Sequence, residues 1–488
     1  MSTQELFEKF ENGIRRGQLP EAQRGLLALT ATRLPRPARL RYANLCRRAG
    51  LAGLALRTLA PLIHPARGLR SNASPAEYAE YAGSLVEIGA GREARRILDR
   101  IAPDAAPDVH LFHAFALFQE WHYAEAIPLL LKFIAGADSD YRALVGQVNL
   151  AAALLATGEQ DRATRAIDEA ISSSTRADAR RLLGNCLELR AQAAIAGGDF
   201  QEALRALDEA GVATPETGGK ESYFLRKWRA ICEFRMGRPG GAQAVHDLRV
   251  EAQTLGHWEG IRDCDLHVAV VAGDEQGLTR LFHGSPSPSF RQRLRTAVPG
   301  FRPPTDYLWR LGDGEGRELC LWNPTQLAED LGVSRARSLP LQLLECLGTD
   351  IYAPLRTGGL FGALYPDSYY DPFTSPNRVQ EQVSRLRRAL QTGHAGIQIE
   401  TLGSAYRLSG APGGRLRIAA RERPATREEA LLNDIRRALE REIFPLESVA
   451  RCLGISARSA HRLVAEWMAA GALVRSGQGR ATRYRLTG

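Results

Sequence analysis

The chain is 488 residues long, 44% hydrophobic and 24% charged, which is enough to bury several cores and too apolar for a disordered chain. Its formal charge is +9, and the excess is local: residues 375–391 carry four arginines against one glutamate, and residues 456–486 carry six against one, so the basic balance reads as two anion-binding patches on a near-neutral chain. Seven cysteines without a C-x-x-C pair, no apolar leader in MSTQELFEKFENGIRRGQ and no run approaching 18 apolar residues argue against a disulfide framework, export and membrane insertion; we expect a cytoplasmic protein.

The N-terminal half repeats. A glycine followed five residues later by alanine recurs at Gly17/Ala22, Gly50/Ala55, Gly89/Ala94, Gly158/Ala163, Gly198/Ala203 and Gly237/Ala242, with Trp121/Ala126 carrying Trp in the glycine slot and Gly273/Leu278 a degraded eighth copy. Each pair closes one apolar helix and opens another, as in AAIAGGDFQEALRAL: glycine permits the tight turn and alanine lets two helix axes approach. With its Gly198-Asp199-Phe200-Gln201-Glu202-Ala203 turn, this stretch resembles the tetratricopeptide repeat family, at irregular spacing. The resemblance covers residues 1–285 and implies an α-solenoid whose concave face takes a protein or peptide effector or mediates a homodimer.

Composition shifts at HGSPSPSFRQRLRTAVPGFRPPTD, and the clustered Pro, Ser and Gly predict a linker over 286–304. YLWRLGDGEGRELCLW then reads as a β-hairpin around Gly-Asp-Gly. TQLAEDLGVSRARSLP imitates a helix-turn-helix, but Pro340 falls inside its would-be second helix, so it is set aside as a DNA reader.

A better candidate follows. SLPLQLLECLG and LRTGGLFGALYP predict two helices, DSYYDPFTS a loop, PNRVQEQVSRLRRALQ a third helix opened by Pro376, and IQIE with AYRLS a pair of strands around 401–404. This order, with Val379, Val383, Ser384, Leu386 and Arg387 in the third helix and a Thr…Gly…Tyr-Arg-Leu ending, resembles the OmpR/PhoB-type winged helix over residues 305–409. Helical periodicity puts Val379, Val383, Leu386 and Leu390 on a core stripe. It turns Asn377, Glu381, Ser384, Arg385 and Arg388 outward, with Arg378 and Arg387 flanking the stripe. Arginines on such a face suit guanine edges and phosphates, so Asn377, Arg378, Ser384, Arg385, Arg387 and Arg388 are candidate DNA contacts.

After a second predicted linker, 410–425, the last segment, 426–488, holds LESVARCLGISARSAHRLVAEW. Ala450 lets two helices cross, Gly454 takes the turn, Ile455 plugs the corner, Ser456 caps the next helix, and Ala460 with Leu463 packs inward. Two strands around Gly477-Gln478-Gly479 follow, and the whole resembles the compact winged helix-turn-helix domains at the ends of bacterial regulators. Arg458, Ser459, His461 and Arg462 on the helix, and Arg475, Arg480 and Arg483 on the strands, are its candidate DNA contacts, with Ala465 and Arg485 also turned outward.

No catalytic constellation stands out. TGGKES lacks the Ser or Thr and the upstream glycine of a phosphate-binding loop, His110, His113 and His122 have no arranged acidic or cysteine partner, and Asp263, Cys264, Asp265 and His267 read as repeat surface. We expect no enzyme, metal or cofactor. The expected fold is mainly α: an N-terminal α-solenoid of tetratricopeptide-like helix pairs followed by two small α/β winged helix-turn-helix domains. The expected function is a sequence-specific transcriptional regulator bound to double-stranded DNA and not to a membrane. The alternative is an interaction scaffold in which the winged helices dock proteins.

Overall fold

The computed structural model describes all residues except 1–2, 16–18, 30–33, 66–69, 103–104, 107, 215–219, 420–430, 433–434, 437–438, 440–442, 454, 478, 480–481 and 488. Eight helix pairs build the N-terminal half: α1 (Thr3–Arg15) with α2 (Leu19–Ala28), α3 (Arg36–Arg48) with α4 (Ala52–Ile63), α5 (Pro75–Glu87) with α6 (Gly91–Leu98), and α7 (Val109–Gln119) with α8 (Tyr123–Ala135). Then come α9 (Asp140–Thr157) with α10 (Gln160–Arg176), α11 (Arg180–Gly197) with α12 (Phe200–Ala213), α13 (Lys220–Arg235) with α14 (Gly241–Leu255), and α15 (Trp258–Ala272) with α16 (Glu275–His283).

The repeat signal marks the inter-helix turns. Gly50, Gly89, Gly158, Gly198, Gly237 and Gly273 all have positive φ, and Trp121, in the same slot, adopts φ 65°. Ala55, Ala94, Ala126, Ala163 and Ala203 are 0% exposed, as close helix packing requires. In one copy the register differs: Ala242 is exposed, and Gly241 holds the packed position instead, because a Cβ there would lie 2.8 Å from Phe234 Cα.

First helices of successive pairs pack on one another, α3 on α5, α5 on α7, α9 on α11, α11 on α13 and α13 on α15, whereas second helices do so more weakly. The layer with the closer spacing is the inner layer of a curved array, so the first helices line its concave side.

The expected linker 286–304 is instead partly helical. α17 (Pro288–Ala297) starts at Ser287, whose side chain accepts from Phe290 N at 3.1 Å, and Phe290 and Leu294 are buried. The Ser-Pro pair read as a helix stopper is a helix starter: serine as N-cap and proline in the first turn.

Beyond it lie β1 (Tyr307–Arg310), β2 (Glu318–Cys320), α18 (Pro324–Asp330), α19 (Leu339–Leu347), β3 (Leu355–Arg356), α20 (Thr357–Leu364), α21 (Ser375–Thr392), β4 (Ile397–Leu402), β5 (Ala405–Gly410) and β6 (Arg415–Ile418). The predicted β1–β2 hairpin is not formed. β6 lies between the two strands, antiparallel to β1 and parallel to β2, so this unit extends to Ile418 and the expected linker at 410–425 begins with a strand. Pro340 stands in the first turn of α19, where its missing N–H costs nothing. β3, β5 and β4 form an antiparallel sheet beside α19, α20 and α21, an order compatible with the winged-helix resemblance.

This unit, hereafter the head, is no separate bead. One hydrophobic core runs from Phe7 and Tyr42 through Leu85 and Phe112 into Leu344, Phe361, Val383, Leu386 and Leu416. The last unit contains α22 (Leu446–Leu453), α23 (Ala457–Ala469), β7 (Leu473–Ser476) and β8 (Arg483–Leu486), the two strands paired antiparallel, around its own core of Ile435, Phe444, Val449, Leu463 and Trp467. Among the described residues no helix is long and apolar enough to cross a membrane.

Candidate nucleic-acid interfaces

α21 is set on the head by its buried stripe: Val379, Val383 and Leu386 are 0% exposed and Leu390 2%. Its start is pinned by Asp371, whose N–H donates to Ser375 Oγ (2.9 Å) and whose carboxylate accepts from Thr374 Oγ1 (3.0 Å). Opposite the stripe Asn377, Ser384, Arg385 and Arg388 are exposed, and Arg378 and Arg387 at its flanks are exposed too.

These side chains are not equally free. Arg387 Nη2 donates to Ile399 O (2.8 Å) and Thr401 Oγ1 (2.7 Å), bracing the helix against the β4–β5 hairpin. Arg378 lies with its guanidinium 3.9 Å from the Tyr365 ring centroid, held by cation–π attraction. Arg385 pairs with Glu381 one turn away, and Ser384 Oγ donates to Gln380 O (2.9 Å). Arg388 and Asn377 have no hydrogen-bond or ion-pair partner among the described residues, so Arg388 is the guanidinium on this face best placed to meet a ligand without breaking a bond first.

On α23, Ala460 is 0% exposed, Val464 2%, and Leu463 and Trp467 3% each. Ser456 accepts from Ser459 N at 3.2 Å, the cap that the sequence places there. Arg458, His461 and Arg462 are exposed and Ser459 half-buried, with Glu466 3.5 Å from Arg462. Arg475 is exposed on β7, and Arg483 on β8 is half-buried with Nη1 donating to Thr482 O (2.9 Å). Gly454, the predicted turn residue, Gln478 and Arg480 lie outside the described residues.

Sequence reasoning missed the residues that join head to array. Arg356 donates to Glu87 O, Gly358 N to Ile88 O (3.2 Å), Arg96 to Pro366 O (2.6 Å) and Tyr81 Oη to Tyr370 O (3.3 Å). Glu93 accepts from Tyr370 N, and burial pushes its carboxyl up to about 7 against the opposing pull of that N–H and of Arg96. On the other flank Arg262, 2% exposed, donates to both carboxylate oxygens of Asp350 at 3.0 and 2.9 Å. Burial opposes its charge, but Asp350 and Glu259 restore it and leave its pKa raised. The signal for this pair was slight: one arginine in an otherwise ordinary α15 and one aspartate after a helix.

The acidic cluster on α15 faces the array's own cations rather than forming plain repeat surface. Asp263 pairs with Lys227, Asp265 with Arg249, Cys264 is buried, and burial lowers His267 to about 4. Among the described residues no group of three His, Cys, Asp or Glu is arranged to hold a metal ion.

No family model and no curated protein matches the sequence. Among solved structures, a tetratricopeptide repeat protein from Parabacteroides merdae ATCC 43184 is 17% identical with a TM-score of 0.34, covering 50% of this chain and 91% of that one. Aspartyl phosphate phosphatase F from Bacillus subtilis is 11% identical with a TM-score of 0.39, covering 62% and 96%. The Rap conjugation gene regulator of the plasmid pLS20, in complex with the Phr* peptide, is 12% identical with a TM-score of 0.36, covering 60% and 94%. The description of the helical array therefore rests on this chain's own helix packing.

Proposed function

We propose that the chain is a sequence-specific DNA-binding transcriptional regulator whose helical array binds a protein or peptide effector or a second copy of the chain, and whose two C-terminal units are winged-helix readers of duplex DNA. The observation that carries the reading is the outer face of α21: four exposed arginines and one asparagine against a single glutamate, on a helix whose opposite face is fully buried. Guanidinium groups on such a face suit guanine edges and phosphates, and α23 repeats the pattern with Arg458, His461 and Arg462. The reading assigns no reaction, metal or cofactor to the chain and places it in the cytoplasm.

The test uses the full chain, since head and array share a core. Selection from a random duplex library should return a preferred site, with affinity falling steeply as salt rises. Arg388→Ala or Arg462→Ala should cost about 1–3 kcal/mol on that site and relax one base position each, as expected for a lost bidentate base contact. A folded chain that fails to bind any duplex at low salt would overturn the reading.

A second reading, a protein-docking scaffold, draws on one observation: α20 and the 365–371 loop are already seated on the array, so this fold docks protein in the same molecule. Loss of duplex binding with retained capture of a protein partner would favour it.

A further inference from the structure

The β4–β5 hairpin, against which Arg387 braces α21, is itself held by the array. Glu400 on β4 and Arg407 on β5 stand opposite one another, and Arg407 Nε donates to Glu400 Oε2 at 2.7 Å. The same guanidinium lies over the ring of Trp258, 4.9 Å from its centroid. Trp258 is the first residue of α15, and one turn further along that helix Arg262 holds Asp350. Side chains at i and i+4 leave the same face of a helix, so a single turn of the eighth helix pair seats two separate parts of the head.

The hairpin is also held at its turn. Ser404 O accepts from Thr357 N (2.9 Å) and from Thr357 Oγ1 (2.7 Å), and the neighbouring Arg356 donates to Glu87 O at the end of α5. One flank of the hairpin is thus tied to the eighth helix pair, and its turn, through α20, to the third. Between these ties Arg387 of α21 donates to Ile399 O and Thr401 Oγ1, the residues on either side of Glu400. A displacement of Arg407 therefore reaches α21 through one short piece of β4.

Resting on the reading of α21 as a DNA-reading helix, we propose that Trp258 is a positioning residue for that reading: from the array, it sets the placement of the β4–β5 hairpin beside α21, and with it the shape of the surface that the head presents to a duplex. Trp258 acts through Arg407 and Glu400 and makes no contact with DNA. Its hold on Arg407 depends on a planar guanidinium over an aromatic face, which a lysine ammonium of the same charge does not reproduce. Gly403 and Ser404 are exposed at the turn, so a hairpin released at Arg407 changes what a ligand meets beside α21.

The test uses the full chain and three substitutions. Trp258→Leu removes the ring and keeps an apolar side chain, Trp258→Phe keeps a ring, and Arg407→Lys keeps the charge without the planar group. Without DNA, hydrogen exchange of the 397–408 amides should quicken about three- to tenfold in Trp258→Leu and in Arg407→Lys, no further when the two are combined, and stay near wild type in Trp258→Phe. In selection from a random duplex library, Trp258→Leu and Arg407→Lys should keep the base preference that Arg388→Ala relaxes and lose preference at adjoining positions, with Trp258→Phe restoring it. Should α15 itself lose protection in Trp258→Leu, Arg407→Lys decides by the same two readouts. Hairpin exchange equal to wild type in Arg407→Lys, or effects of the two substitutions that simply add, would show that Trp258 does not position the hairpin. Faster hairpin exchange with an unchanged base preference would leave Trp258 a structural brace and overturn its part in reading. A wild-type chain that binds no duplex would overturn the DNA reading and this role with it, and the exchange data would still show whether the array clamps the hairpin.

Discussion

The head and the C-terminal unit each set a basic helix beside a small antiparallel sheet, but they are held in opposite ways. The head shares its core with the array, from Phe7 through to Leu416, and is pinned on two flanks by Glu93, Arg96 and Tyr81 on one side and Arg262 on the other. The C-terminal unit has a core of its own among the described residues, with Ile435, Phe444, Val449 and Trp467 in a cluster separate from the larger one. Two units with similar basic helices therefore offer different physics: one moves only if the array moves, and the other can open on its own. A signal on the array has a route to α21 through shared packing, which the separate cluster around α23 does not provide among the described residues.

The sharpest way to break this contrast is to remove the buried anchor. Asp350 accepts two bonds from Arg262 and one each from Tyr352 N and Ala353 N, both at 3.0 Å, so its carboxylate is fully satisfied and out of water. Asp350→Ala leaves the Arg262 charge buried without its partner, which costs about 3–5 kcal/mol. The melt of array and head should fall together, while the C-terminal unit's protection from hydrogen exchange stays as in wild type. Independent unfolding of the head in this variant, with the array unchanged, would show that the two are only in contact and not coupled.

A smaller effect comes from the other flank. Glu93 is held at about 7, against 4.5 for an ordinary glutamate, by burial beside the head's 365–371 loop. Its folded pKa is raised, so its contribution to stability is fully present below pH 4.5 and is lost as the pH climbs through about 7, because the native state keeps a proton that the unfolded chain releases. The expected loss is on the order of 3 kcal/mol. Glu93→Gln should flatten this part of the pH–stability curve, as read from denaturant midpoints between pH 4.5 and 8. A wild-type curve that rises over that window would mean that the array–head contact does not carry this cost.

Local signals survived in this sequence and long-range ones did not. Gly198 and Ala203, or Ser456 and Ala460, announce themselves because a turn or a cap needs particular residues within a few positions. Docking of Tyr370 on Glu93, or of Asp350 on Arg262, joins residues separated by 277 and 88 positions and leaves no periodicity to read. The Pro-Ser-rich segment misled for a related reason. Ser287 and Pro288 are compatible with a loop or with a helix start, and what decides is the burial of Phe290 and Leu294 by partners far away in the chain. For the candidate site, periodicity sorted α21 into buried and exposed faces correctly but could not see that Arg387 and Arg378 are engaged within the head.

The smallest change tests the autonomy of the C-terminal unit. Ser456 is exposed; its hydroxyl accepts from Ser459 N at 3.2 Å and lies 3.0 Å from Ser459 Oγ, satisfying one of the N–H groups that the first turn of α23 leaves without a partner in the helix. Ser456→Ala removes that acceptor together with the contact to Ser459 Oγ, which costs about 1 kcal/mol. Because Ala460, Leu463 and Trp467 belong to a core that ends within the unit, the loss should appear only there: faster exchange of the first-turn amides at 457–459 and a lower melting point for the C-terminal unit, with the array and head unmoved. The fraying turn carries Arg458 and Ser459, so duplex affinity should fall by no more than the helix itself loses. An equal shift in the main transition would mean that α23 is braced by the rest of the molecule, and the two units would then have to be treated as one reading surface under the array's control.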